Sequence, residues 1–471
     1  MTQLEFEKIA RDVFGEVCIN KELFVQSGLL QRSIPTFVGE WIIDRFSEGN
    51  NLTDEARAKI DSFISEHLPK KDQKEAVKNR LANGEPLTIL DRFTARVDLK
   101  RNLKLIEIPC VDEVGYVDER LLDQYENLLG GGMWGAGKLV YYPPLDSHSQ
   151  GELWLREFRP MQLASLDLNY IRTSRSEFST AEWRQLMVNS MGYNPGAYSP
   201  DQQQLLLTRL LPIVQQRINL IELAPKGTGK SFVFQNLSRY ARVISGGKVT
   251  APVLFYNNST NTPGLLSQYD VVVFDEAQTI SFDNPGEIVG ILKDYLESGK
   301  YSRGRQQATA DAGIVLLGNI PIDASGAPSN PVLFQNLPKF LQETAFIDRL
   351  HGIIPGWELP RITTNSPAKG TGFKADFFGE YLHALRDESK YSEYVSLHLK
   401  INGTQDMRDV KAIERLTSGY LKLLYPDLHP SESEFFEYCI KPSIKLRQAV
   451  RDQLCKLDPE YKVSTIFGEV I

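Results

Sequence analysis

The stretch Ala224-Pro225-Lys226-Gly227-Thr228-Gly229-Lys230-Ser231 comes after an apolar run and decides how the whole chain is interpreted. A glycine-rich turn of this kind presents backbone N–H groups to phosphate oxygens, while its lysine reaches the β- and γ-phosphates and a hydroxyl ligates Mg²⁺. The two glycines, Lys230 and Ser231 supply those parts. The full pattern has glycine where this chain has Ala224, so the match is incomplete where the strand turns into the loop. The sequence therefore predicts a phosphate-binding loop whose chemically active end is intact.

The flanks of this loop have the context that a phosphate-binding loop needs. Ile218 to Leu223 predicts a buried strand before it, and Phe232 to Tyr240 predicts a helix after it. A second stretch, Gly132 to Leu139, matches the glycine-lysine spacing better at its first position, but its last residue has no hydroxyl for a metal. The residues after that stretch are β-like and lead to Pro143-Pro144 instead of a helix. We therefore predict that the second stretch is a structural turn.

Two carboxylates come directly after a second apolar run, Asp270 to Phe274. Such a run predicts a buried strand, and open α/β sheets place ligands at the carboxyl ends of their strands. Asp275 is the candidate that holds Mg²⁺ through its shell, together with Ser231. Glu276 is the candidate that orients and polarises the attacking water, since phosphoryl transfer needs positioning and charge stabilisation. This pattern predicts the metal-binding strand of a nucleoside triphosphatase.

Two further residues are candidates for the same chemistry. Asn319 ends a third apolar run, Gly313 to Gly318, at the height of the carboxylates, where it would hold the lytic water or the γ-phosphate. The alternative is an asparagine that closes a turn before Pro321. Arg349 lies shortly downstream, and an arginine supplied across a subunit boundary stabilises transition-state charge. Taken without any family, that arginine is more often a surface ion-pair partner.

Composition places the chain among ordinary soluble globular proteins. Of its 471 residues 42% are apolar and 24% are charged, and the net charge is −7,. No run approaches the roughly 20 apolar residues that span a bilayer, so we expect no membrane partner and a cytoplasmic location. The four cysteines do not have zinc spacing and are expected to be reduced,. The acidic balance argues against bulk coating of nucleic acid but leaves room for local basic patches.

The order of patterns along the chain predicts four segments. We expect a helical N-terminal region over residues 1–85, in which Ile34-Pro35-Thr36 starts a helix. A mixed or β-rich module is expected over 86–195, and an α/β core with a parallel sheet over 196–360. Residues 361–471 are expected to be helical.

Two groups of cations in the N-terminal half are candidates for binding a phosphate backbone. The first is Arg92, Arg96, Lys100, Arg101 and Lys104, and the second is Arg156, Arg159, Arg172 and Arg175. The alternative for each group is a solvated charged face. Any such binding is expected to be largely independent of base sequence and steeply dependent on salt.

Many ordered stretches resemble BrxL, the Lon-related AAA+ ATPase family of bacterial BREX phage-defence systems. They cover most of the chain: Ile34-Pro35-Thr36-Phe37-Val38-Gly39-Glu40, Gly131-Gly132-Met133-Trp134-Gly135, Glu222 to Ser231, Ser245-Gly246-Gly247-Lys248-Val249-Thr250, Leu254-Phe255-Tyr256-Asn257, Val273-Phe274-Asp275-Glu276, Ile291 to Gly299, Ser302-Arg303-Gly304, Gly318-Asn319-Ile320, Asp348-Arg349-Leu350 and Ile354-Pro355-Gly356-Trp357-Glu358. Together they are more specific than a phosphate-binding loop alone. The family usually has glycine where this chain has Ala224.

The resemblance implies an α/β AAA+ P-loop core, a mixed α+β N-terminal DNA-binding region and a C-terminal helical lid. It implies ATP and Mg²⁺ as ligands, and DNA, other BREX proteins and further copies of the chain as partners. The core also resembles MCM helicases, which implies a hexamer or a stacked pair of hexamers around DNA. On that basis Arg349 becomes a finger that acts on a neighbour's ATP. Arg447 becomes a lid arginine that senses the nucleotide, with Arg451 as the fallback.

The family's C-terminal Lon-protease-like domain has no counterpart in this chain, which stops at Ile471. No Ser/Lys protease constellation can be placed before that residue, so we expect no peptidase activity.

The resemblance to MCM proteins also implies a pore hairpin over Lys300 to Arg305. Its cations Lys300, Arg303 and Arg305 would contact DNA phosphates, and the alternative is a solvated basic turn. We place the hairpin tip at Ala310-Asp311-Ala312, where MCM helicases have a lysine. An acidic tip would repel phosphate.

Two other functions are also compatible with the sequence. One is a Lon- or chaperone-like motor that threads polypeptide, for which Tyr301 is the nearby candidate for an aromatic pore residue. The other is a scaffold in which ATP controls assembly and hydrolysis is incidental.

Overall fold

The chain divides into two compact units. The computed structural model describes residues 4–29, 34–47, 51–129, 131–144, 146, 150–161, 166–237, 239–259, 262–303 and 306–471. The first unit comprises Met1–Lys21 and Leu166–Ile471, and the second comprises Glu22–Ser165. Within the described ranges, no helix is both long enough and apolar enough to cross a membrane. All four cysteines are free thiols.

Helices and strands are numbered in chain order. The α-helices are α1 (Glu5–Phe14), α2 (Glu22–Gln26), α3 (Thr36–Phe46), α4 (Asp54–His67), α5 (Lys74–Ala82), α6 (Glu119–Gln124), α7 (Leu168–Ser174), α8 (Thr180–Ser190), α9 (Pro200–Thr208), α10 (Leu211–Val214), α11 (Phe232–Asn236), α12 (Ala251–Leu254), α13 (Pro285–Ser298), α14 (Thr344–Ile347), α15 (Ala375–Ala384), α16 (Lys390–His398), α17 (Met407–Leu424), α18 (Glu432–Phe435) and α19 (Lys441–Leu457). The strands are β1 (Cys18–Asn20), β2 (Leu87–Asp98), β3 (Leu103–Ile108), β4 (Glu113–Val117), β5 (Met133–Tyr142), β6 (Glu152–Pro160), β7 (Leu220–Ala224), β8 (Ala241–Ser245), β9 (Lys248–Val249), β10 (Tyr256–Asn257), β11 (Thr262–Pro263), β12 (Val271–Asp275), β13 (Ser281–Phe282), β14 (Lys300–Arg303), β15 (Gln306–Thr309), β16 (Gly313–Asn319), β17 (Gly352–Pro355), β18 (Thr371–Phe373), β19 (Leu399–Asn402) and β20 (Phe467–Val470).

A five-stranded parallel sheet forms the centre of the first unit. Its strand order is β17-β7-β16-β12-β8. Every residue of β7 and β17 is buried, and so are all but the last residues of β12 and β16. Continuous apolar strands are stable only in a sheet that is covered on both faces, as crossover helices cover a parallel sheet. The predicted α/β core with a parallel sheet is therefore confirmed.

The predicted strands of this sheet lie close to the observed ones. The run from Gly313 to Asn319 forms β16 over its full length, and the predicted strand before the phosphate-binding loop is β7. The helix predicted after that loop is shorter than expected. It ends at Asn236, and the chain enters the edge strand β8 at Ala241.

The division into units differs from the boundaries expected at residues 85 and 195. Residues up to Lys21 belong to the first unit because β1 pairs antiparallel with β18, from Cys18 opposite Phe373 to Asn20 opposite Thr371. Phe14 reinforces this pairing, since its ring packs 5.0 Å from Phe373. The segment expected to close the β-rich module, around α7 and α8, is also part of the first unit. Pairing between strands so far apart in the chain leaves no local sequence signal.

The second unit contains a closed five-stranded barrel with the order β2-β3-β4-β6-β5. All pairs are antiparallel except β4 with β6, and α6 lies between β4 and β5. A small Greek-key barrel of this topology is an OB-fold. Its interior is apolar and includes Phe93, Ile106, Leu139 and Leu155. The β-rich module predicted for this part of the chain therefore exists, although it occupies a narrower range.

The second glycine-rich stretch, Gly132 to Leu139, is part of this barrel. Most of it forms β5, where Gly137 and Gly135 face rings from neighbouring strands. A β-carbon at Gly135 would come within 2.5 Å of Phe158, and one at Gly137 would collide with Phe93. These glycines are needed for close packing, which confirms that the stretch is structural.

Candidate active site

Three neighbouring strands of the parallel sheet bring the predicted site residues to one edge. In the register of β7 and β16, Ala224 lies opposite Asn319, and β12 ends beside them at Asp275. The phosphate-binding loop leaves β7 at this edge. Carboxyl ends of parallel strands are the usual place for ligands in open α/β sheets.

The loop itself has the backbone that its glycines predict. Gly227 and Gly229 have φ angles of 86° and 72°, which only glycine adopts readily,. The backbone N–H groups from Lys226 to Ser231 donate to no other protein group in the part of the chain that the structure describes. A run of such free donors is a cradle for phosphate oxygens.

Ala224 is accommodated at the position where the full pattern has glycine. It is the last residue of β7, so its backbone needs no special φ angle. Its methyl group faces Gly356, where an added β-carbon would lie 2.6 Å from the Ala224 β-carbon. The absent side chain at Gly356 therefore makes room for the methyl group of Ala224.

Lys230 and Asn319 are in direct contact. The Lys230 Nζ donates to Asn319 Oδ1 at 2.6 Å, and the Asn319 backbone N–H donates to Gln278 Oε1 at 3.2 Å. Burial lowers the pKa of Lys230, and the carboxylates of Glu222 and Asp275 oppose that shift. The alternative that Asn319 only closes a turn before Pro321 does not account for this hydrogen bond, because the Asn319 side chain contacts the phosphate-binding loop.

Ser231 and the carboxylates form the second half of the site. The Ser231 hydroxyl donates to Asp275 Oδ2 at 2.6 Å. Glu276 is exposed, and its φ and ψ angles of 53° and 49° are left-handed. A left-handed conformation is uncommon for a glutamate and concentrates at functional sites. It turns Glu276 out of the line of β12, so that its carboxyl group lies beside Gly246 in the turn after β8.

Mg²⁺ fits the oxygens at this edge. Ser231 Oγ and Asp275 Oδ2 are already adjacent, and no cluster of three or more His, Cys, Asp or Glu side chains that would hold a metal occurs among the described residues. Mg²⁺ requires few protein ligands, because it keeps waters and binds substrate phosphates. These oxygens therefore suit a Mg²⁺ ion whose other ligands are water and nucleotide phosphates, and they do not suit a metal that is ligated by protein side chains alone.

Arg349 lies outside this cluster. Its Nη1 donates to the Ala345 carbonyl, its Nε is 3.4 Å from Glu297, and its side chain is 18% exposed. The next residue toward the N-terminus, Asp348, is buried and held by Arg408 and Arg447. The backbone at Arg349 is therefore held in place by its neighbour Asp348. The Arg349 guanidinium contacts Ala345 and Glu297 instead of the phosphate-binding loop of its own chain.

Arg447 is not placed as a nucleotide sensor. Its guanidinium is 1% exposed, pairs with Asp348 at 2.9 Å and Asp409 at 2.7 Å, and also donates to the Leu350 carbonyl. The fallback, Arg451, pairs with Asp409 at 2.7 Å. Both interpretations are corrected by this structure, because a guanidinium that is paired inside the protein is not free for a phosphate.

A buried brace behind the loop was missed by the sequence patterns. Arg209 and Glu222 are both fully buried and pair at 2.6 Å and 3.0 Å. Arg209 also donates to the Thr228 carbonyl and to the Tyr193 hydroxyl, which in turn donates to the Gly229 carbonyl at 2.8 Å. Burial lowers the pKa of Arg209, but Glu222 outweighs it, so the net direction is upward. The one available signal was a glutamate inside the apolar run of β7.

We expect this brace to position the loop as well as stabilise the fold. Arg209→Met alone leaves Glu222 buried and unpaired, and should lower the free energy of unfolding by about 3–5 kcal/mol. The double variant Arg209→Met/Glu222→Leu should recover most of that loss, because apolar replacement of a buried pair is often neutral. The ATP affinity of the double variant should stay below that of the wild type, since the Thr228 carbonyl and the Tyr193 hydroxyl no longer accept hydrogen bonds from Arg209.

Tyr193→Phe is a milder test of whether the brace positions the loop. Denaturant unfolding measures its effect on stability, and nucleotide titration measures its effect on ATP affinity. It removes the hydroxyl that donates to Gly229, whereas Tyr198→Phe removes a neighbouring tyrosine hydroxyl that hydrogen-bonds Ser366 instead of the loop. A double variant with wild-type ATP affinity would show that the brace serves stability alone.

The predicted hairpin exists, but its tip was misplaced. Lys300 pairs with Thr309 and Arg303 with Gln306, so Ala310 comes after the last pair of the hairpin. Arg305 lies outside the described residues. Ala310 and Ala312 come after the hairpin and are buried at its base, where Asp311 lies 3.6 Å from Arg217. The acidic residue is therefore not at the tip.

The side chains of this hairpin differ in availability. Lys300 is exposed, and Arg303 donates to the Tyr256 carbonyl. Tyr301 is 3% exposed, and its hydroxyl donates to the Phe255 carbonyl at 3.0 Å. The one aromatic candidate for gripping a polypeptide is thus part of the core.

The first basic group lies on the OB barrel. Lys100 and Arg101 occupy the exposed turn between β2 and β3. The Arg101 side chain is 77% exposed, and its Nε lies 4.0 Å from Asp98. Arg96 lies 3.7 Å from Glu107, and Arg92 donates to the Gly131 carbonyl at 2.5 Å. OB-folds bind oligonucleotides with this first loop and the adjoining strands.

The second basic group is divided between the two units. Arg156 and Arg159 belong to the barrel, whereas Arg172 and Arg175 belong to the first unit. Arg175 is buried and donates to the Leu424 and Phe178 carbonyls. The prediction of a single second cluster was wrong, because one of its members satisfies backbone carbonyls inside the protein.

A glycine loop after one parallel strand, with an asparagine and two carboxylates at the ends of the next two, defines a P-loop nucleoside triphosphatase core of the AAA+-like class. The chain belongs to the BrxL family. A family model described as "Lon-like protease BrxL-like, ATPase domain" matches residues 153–466, and one described as "BREX system Lon protease-like protein BrxL N-terminal" matches residues 12–141. The resemblance drawn from the sequence is confirmed.

Curated relatives agree with these matches. The chain is 29% identical to "Lon-like protease BrxL" of Bacillus cereus (strain H3081.97), over 90% of this chain and 63% of that protein. It is 29% identical to the protein of the same name from Escherichia coli O9:H4 (strain HS), over 90% of this chain and 61% of that protein. It is also 27% identical to "Uncharacterized protein ORF426" of Acidianus filamentous virus 1, over 32% of this chain and 41% of that protein. The chain spans about three fifths of the length of the two BrxL relatives.

Proposed function

We propose that the chain is the ATP-hydrolysing, DNA-binding subunit of an AAA+ ring that acts in BREX-type phage defence. The observation that carries the proposal is a pair of hydrogen bonds at one sheet edge, from Lys230 to Asn319 and from Ser231 to Asp275. These residues come from the loop and from two further strands. A bound phosphate group with its metal ion gives all of them a role, since phosphoryl transfer depends on positioning and charge stabilisation. The family membership supports the ATPase part of the proposal.

Each residue has a separate role in hydrolysis. The free N–H groups of Lys226, Gly227, Thr228 and Gly229 cradle the phosphates, while Pro225 starts the turn without a donor. Lys230 neutralises charge on the terminal phosphates, and Ser231 and Asp275 hold Mg²⁺. When bound, Mg²⁺ offsets the charge that develops on the phosphate oxygens.

Water activation falls to residues beside the phosphates. Glu276 is exposed and accepts a proton from the attacking water, and Asn319 orients that water or the γ-phosphate,. Arg349 completes the site from a neighbouring copy in a hexamer or stacked pair of hexamers, and the helices after residue 361 act as a lid. Mg²⁺-dependent release of phosphate from ATP by the purified chain tests this part, and absence of turnover at any protein concentration would reject it.

DNA binding is proposed for the hairpin cations and for the OB barrel. Lys300, Arg303 and Arg305 would contact phosphates in the channel of the ring, and Lys100 and Arg101 would do so on the barrel. The contacts would be to the backbone and largely independent of sequence. The alternative of a motor that threads polypeptide has less support, because Tyr301, its candidate pore residue, is buried.

The double variant Lys100→Ala/Arg101→Ala should weaken binding to DNA of every sequence. Each lost phosphate contact lowers the slope of log affinity against log salt by about 1. The matched control is Lys78→Ala/Arg80→Ala, which removes the same charge from cations paired with Glu113 and Glu85 on the same unit. Filter binding or fluorescence anisotropy across a salt series measures both. An unchanged slope in the first variant would exclude this turn as a DNA contact.

A further inference from the structure

A pocket of about 290 Å³ on the second unit is lined by aromatic and basic side chains. It lies where α3 and α4 meet barrel strands β5 and β6, and Trp41, Arg45, Phe63, His67, Lys138 and Arg159 line it. The volume is close to the lower limit of roughly 300 Å³ for small-molecule sites. All of these residues belong to Glu22–Ser165, so the pocket is complete within one unit.

The aromatic rings of this pocket are not part of the apolar core. Trp41, Phe63 and His67 are half-buried, and none belongs to the buried cluster that fills the barrel. The Arg45 guanidinium lies over the Trp41 ring at 5.5 Å and over the Phe63 ring at 5.8 Å. A planar cation therefore already lies over these rings, which shows that they form a platform of the kind on which a flat group stacks.

Two of the three cations at the rim form no ion pair with a described carboxylate, although Glu157 also lines the pocket. Within the described part of the chain, no carboxylate lies within ion-pair distance of exposed Arg45 or Arg159. Lys138 pairs with Glu157 at 2.7 Å across the rim. The His67 Nδ1 donates to the Thr88 carbonyl at 3.0 Å. The pocket thus combines stacking surfaces, hydrogen-bonding groups and free positive charge.

A second tryptophan on the barrel lacks this combination. Arg156 lies 4.4 Å from the Trp154 ring but pairs with Asp118 at 3.1 Å, and the Trp154 indole N–H donates to Glu152 at 2.8 Å. Its cation and its ring are both partnered by carboxylates, which repel phosphate. The contrast singles out the pocket around Trp41.

We propose that this pocket holds one nucleobase of single-stranded DNA, stacked on Trp41, with the flanking phosphates on Arg45 and Arg159. Nonspecific single-strand sites combine such aromatic platforms with cationic grooves. The usual oligonucleotide face of an OB-fold is its second and third strands with the adjoining loops, whereas this pocket lies on the fourth and fifth strands. The inference rests on the proposed DNA binding and narrows it to a preference for unpaired bases, because a base inside a duplex cannot enter the pocket.

The test compares a short oligothymidylate with a duplex of the same length, using the whole chain. Trp41→Leu keeps apolar volume and removes the stacking face, so affinity for the single strand should fall about 5- to 150-fold, the loss of one stack of ~1–3 kcal/mol. Duplex affinity should stay nearly unchanged. Arg159→Gln, at an exposed position, should reduce the salt dependence of single-strand binding. Trp154→Leu is the matched control and should leave single-strand affinity unchanged.

Removing the base from the ligand gives an independent measurement. An oligomer of abasic residues keeps the phosphates, so wild-type protein should bind it more weakly than oligothymidylate, and Trp41→Leu should show a smaller difference between the two. Wild-type single-strand affinity in Trp41→Leu, with duplex binding intact, would overturn the pocket and leave the proposed DNA binding standing. No DNA binding by the wild type at low salt would overturn both. A changed oligomeric state of Trp41→Leu in light scattering would overturn the base site and assign the pocket to an interface between copies.

Discussion

Alanine at Arg349 is expected to lower ATP turnover of the assembled protein by about 10³–10⁵-fold, the range typical of arginine fingers. The guanidinium would stabilise negative charge that spreads over the phosphate oxygens in the transition state. In this chain it pairs with Glu297 and the Ala345 carbonyl instead of the phosphate-binding loop. In the proposed ring, the phosphate on which it acts would belong to another copy. ATP binding by single subunits should change little.

Mixing two inactive variants separates action across a boundary from action within one chain. Arg349→Ala subunits retain Glu276, and Glu276→Gln subunits retain Arg349. In a mixed ring, Arg349 of a Glu276→Gln subunit can lie next to the ATP site of an Arg349→Ala subunit, which retains Glu276. Such a ring should hydrolyse ATP, whereas rings made of either variant alone should not. Lys293→Ala is the matched control for loss of a cation, since Lys293 pairs with Glu343 on the same unit and does not hold Asp348. Failure of every mixing ratio to restore hydrolysis would place the arginine in its own chain's site or outside the mechanism.

Glu276→Gln is expected to reduce hydrolysis by about 10²–10⁴-fold while ATP still binds, because a general base contributes a factor of this size. The amide keeps the shape of the side chain and cannot accept the proton. The left-handed backbone at Glu276 costs roughly 1–3 kcal/mol in a non-glycine residue, and such strain is retained where a side chain must be aimed,. Single-turnover hydrolysis and nucleotide retention on gel filtration measure the two effects separately.

Lys230→Ala should instead abolish binding, since the buried ammonium that contacts Asn319 is lost. Lys445→Ala is the control for loss of a lysine, because it pairs with Glu358 on the surface of the same unit. The pair of site variants also tests the remaining alternative, a scaffold gated by ATP. Glu276→Gln should trap ATP and lock assembly, whereas Lys230→Ala should not assemble. Equal assembly of both variants would reject nucleotide control of the ring.

Much of the active site was predictable because its signals are local. A strand pattern with fixed residue types after it places Lys230 and Ser231 on one element and Asp275 on another, and parallel strands must end at the same edge. The contact between Lys230 and Asn319 results from that rule once the strand order is known. The resemblance to the BrxL family came from many short ordered matches, and the family models confirm it.

The errors arose where a role depends on distant partners. The family resemblance implied a sensor role for Arg447, but Arg447 is neutralised by Asp348 and Asp409, which lie 99 and 38 positions away. The hairpin tip was misplaced because register, not composition, decides where a two-stranded hairpin turns,. Tyr301 was expected at the surface and is buried, since alternate residues of a strand face opposite sides,.

The sequence by itself determined the parallel sheet, the phosphate-binding loop and the family, because each depends on residue types at short, fixed spacing. Only the tertiary structure decided which charges remain available for a ligand. Arg209 and Glu222 neutralise each other behind the loop, whereas Arg45 and Arg159 line the pocket beside Trp41 and form no ion pair with any carboxylate that the structure describes. A charge that is buried and paired inside the folded protein is not available to a ligand, and such pairing depends on groups brought together from remote positions in the chain.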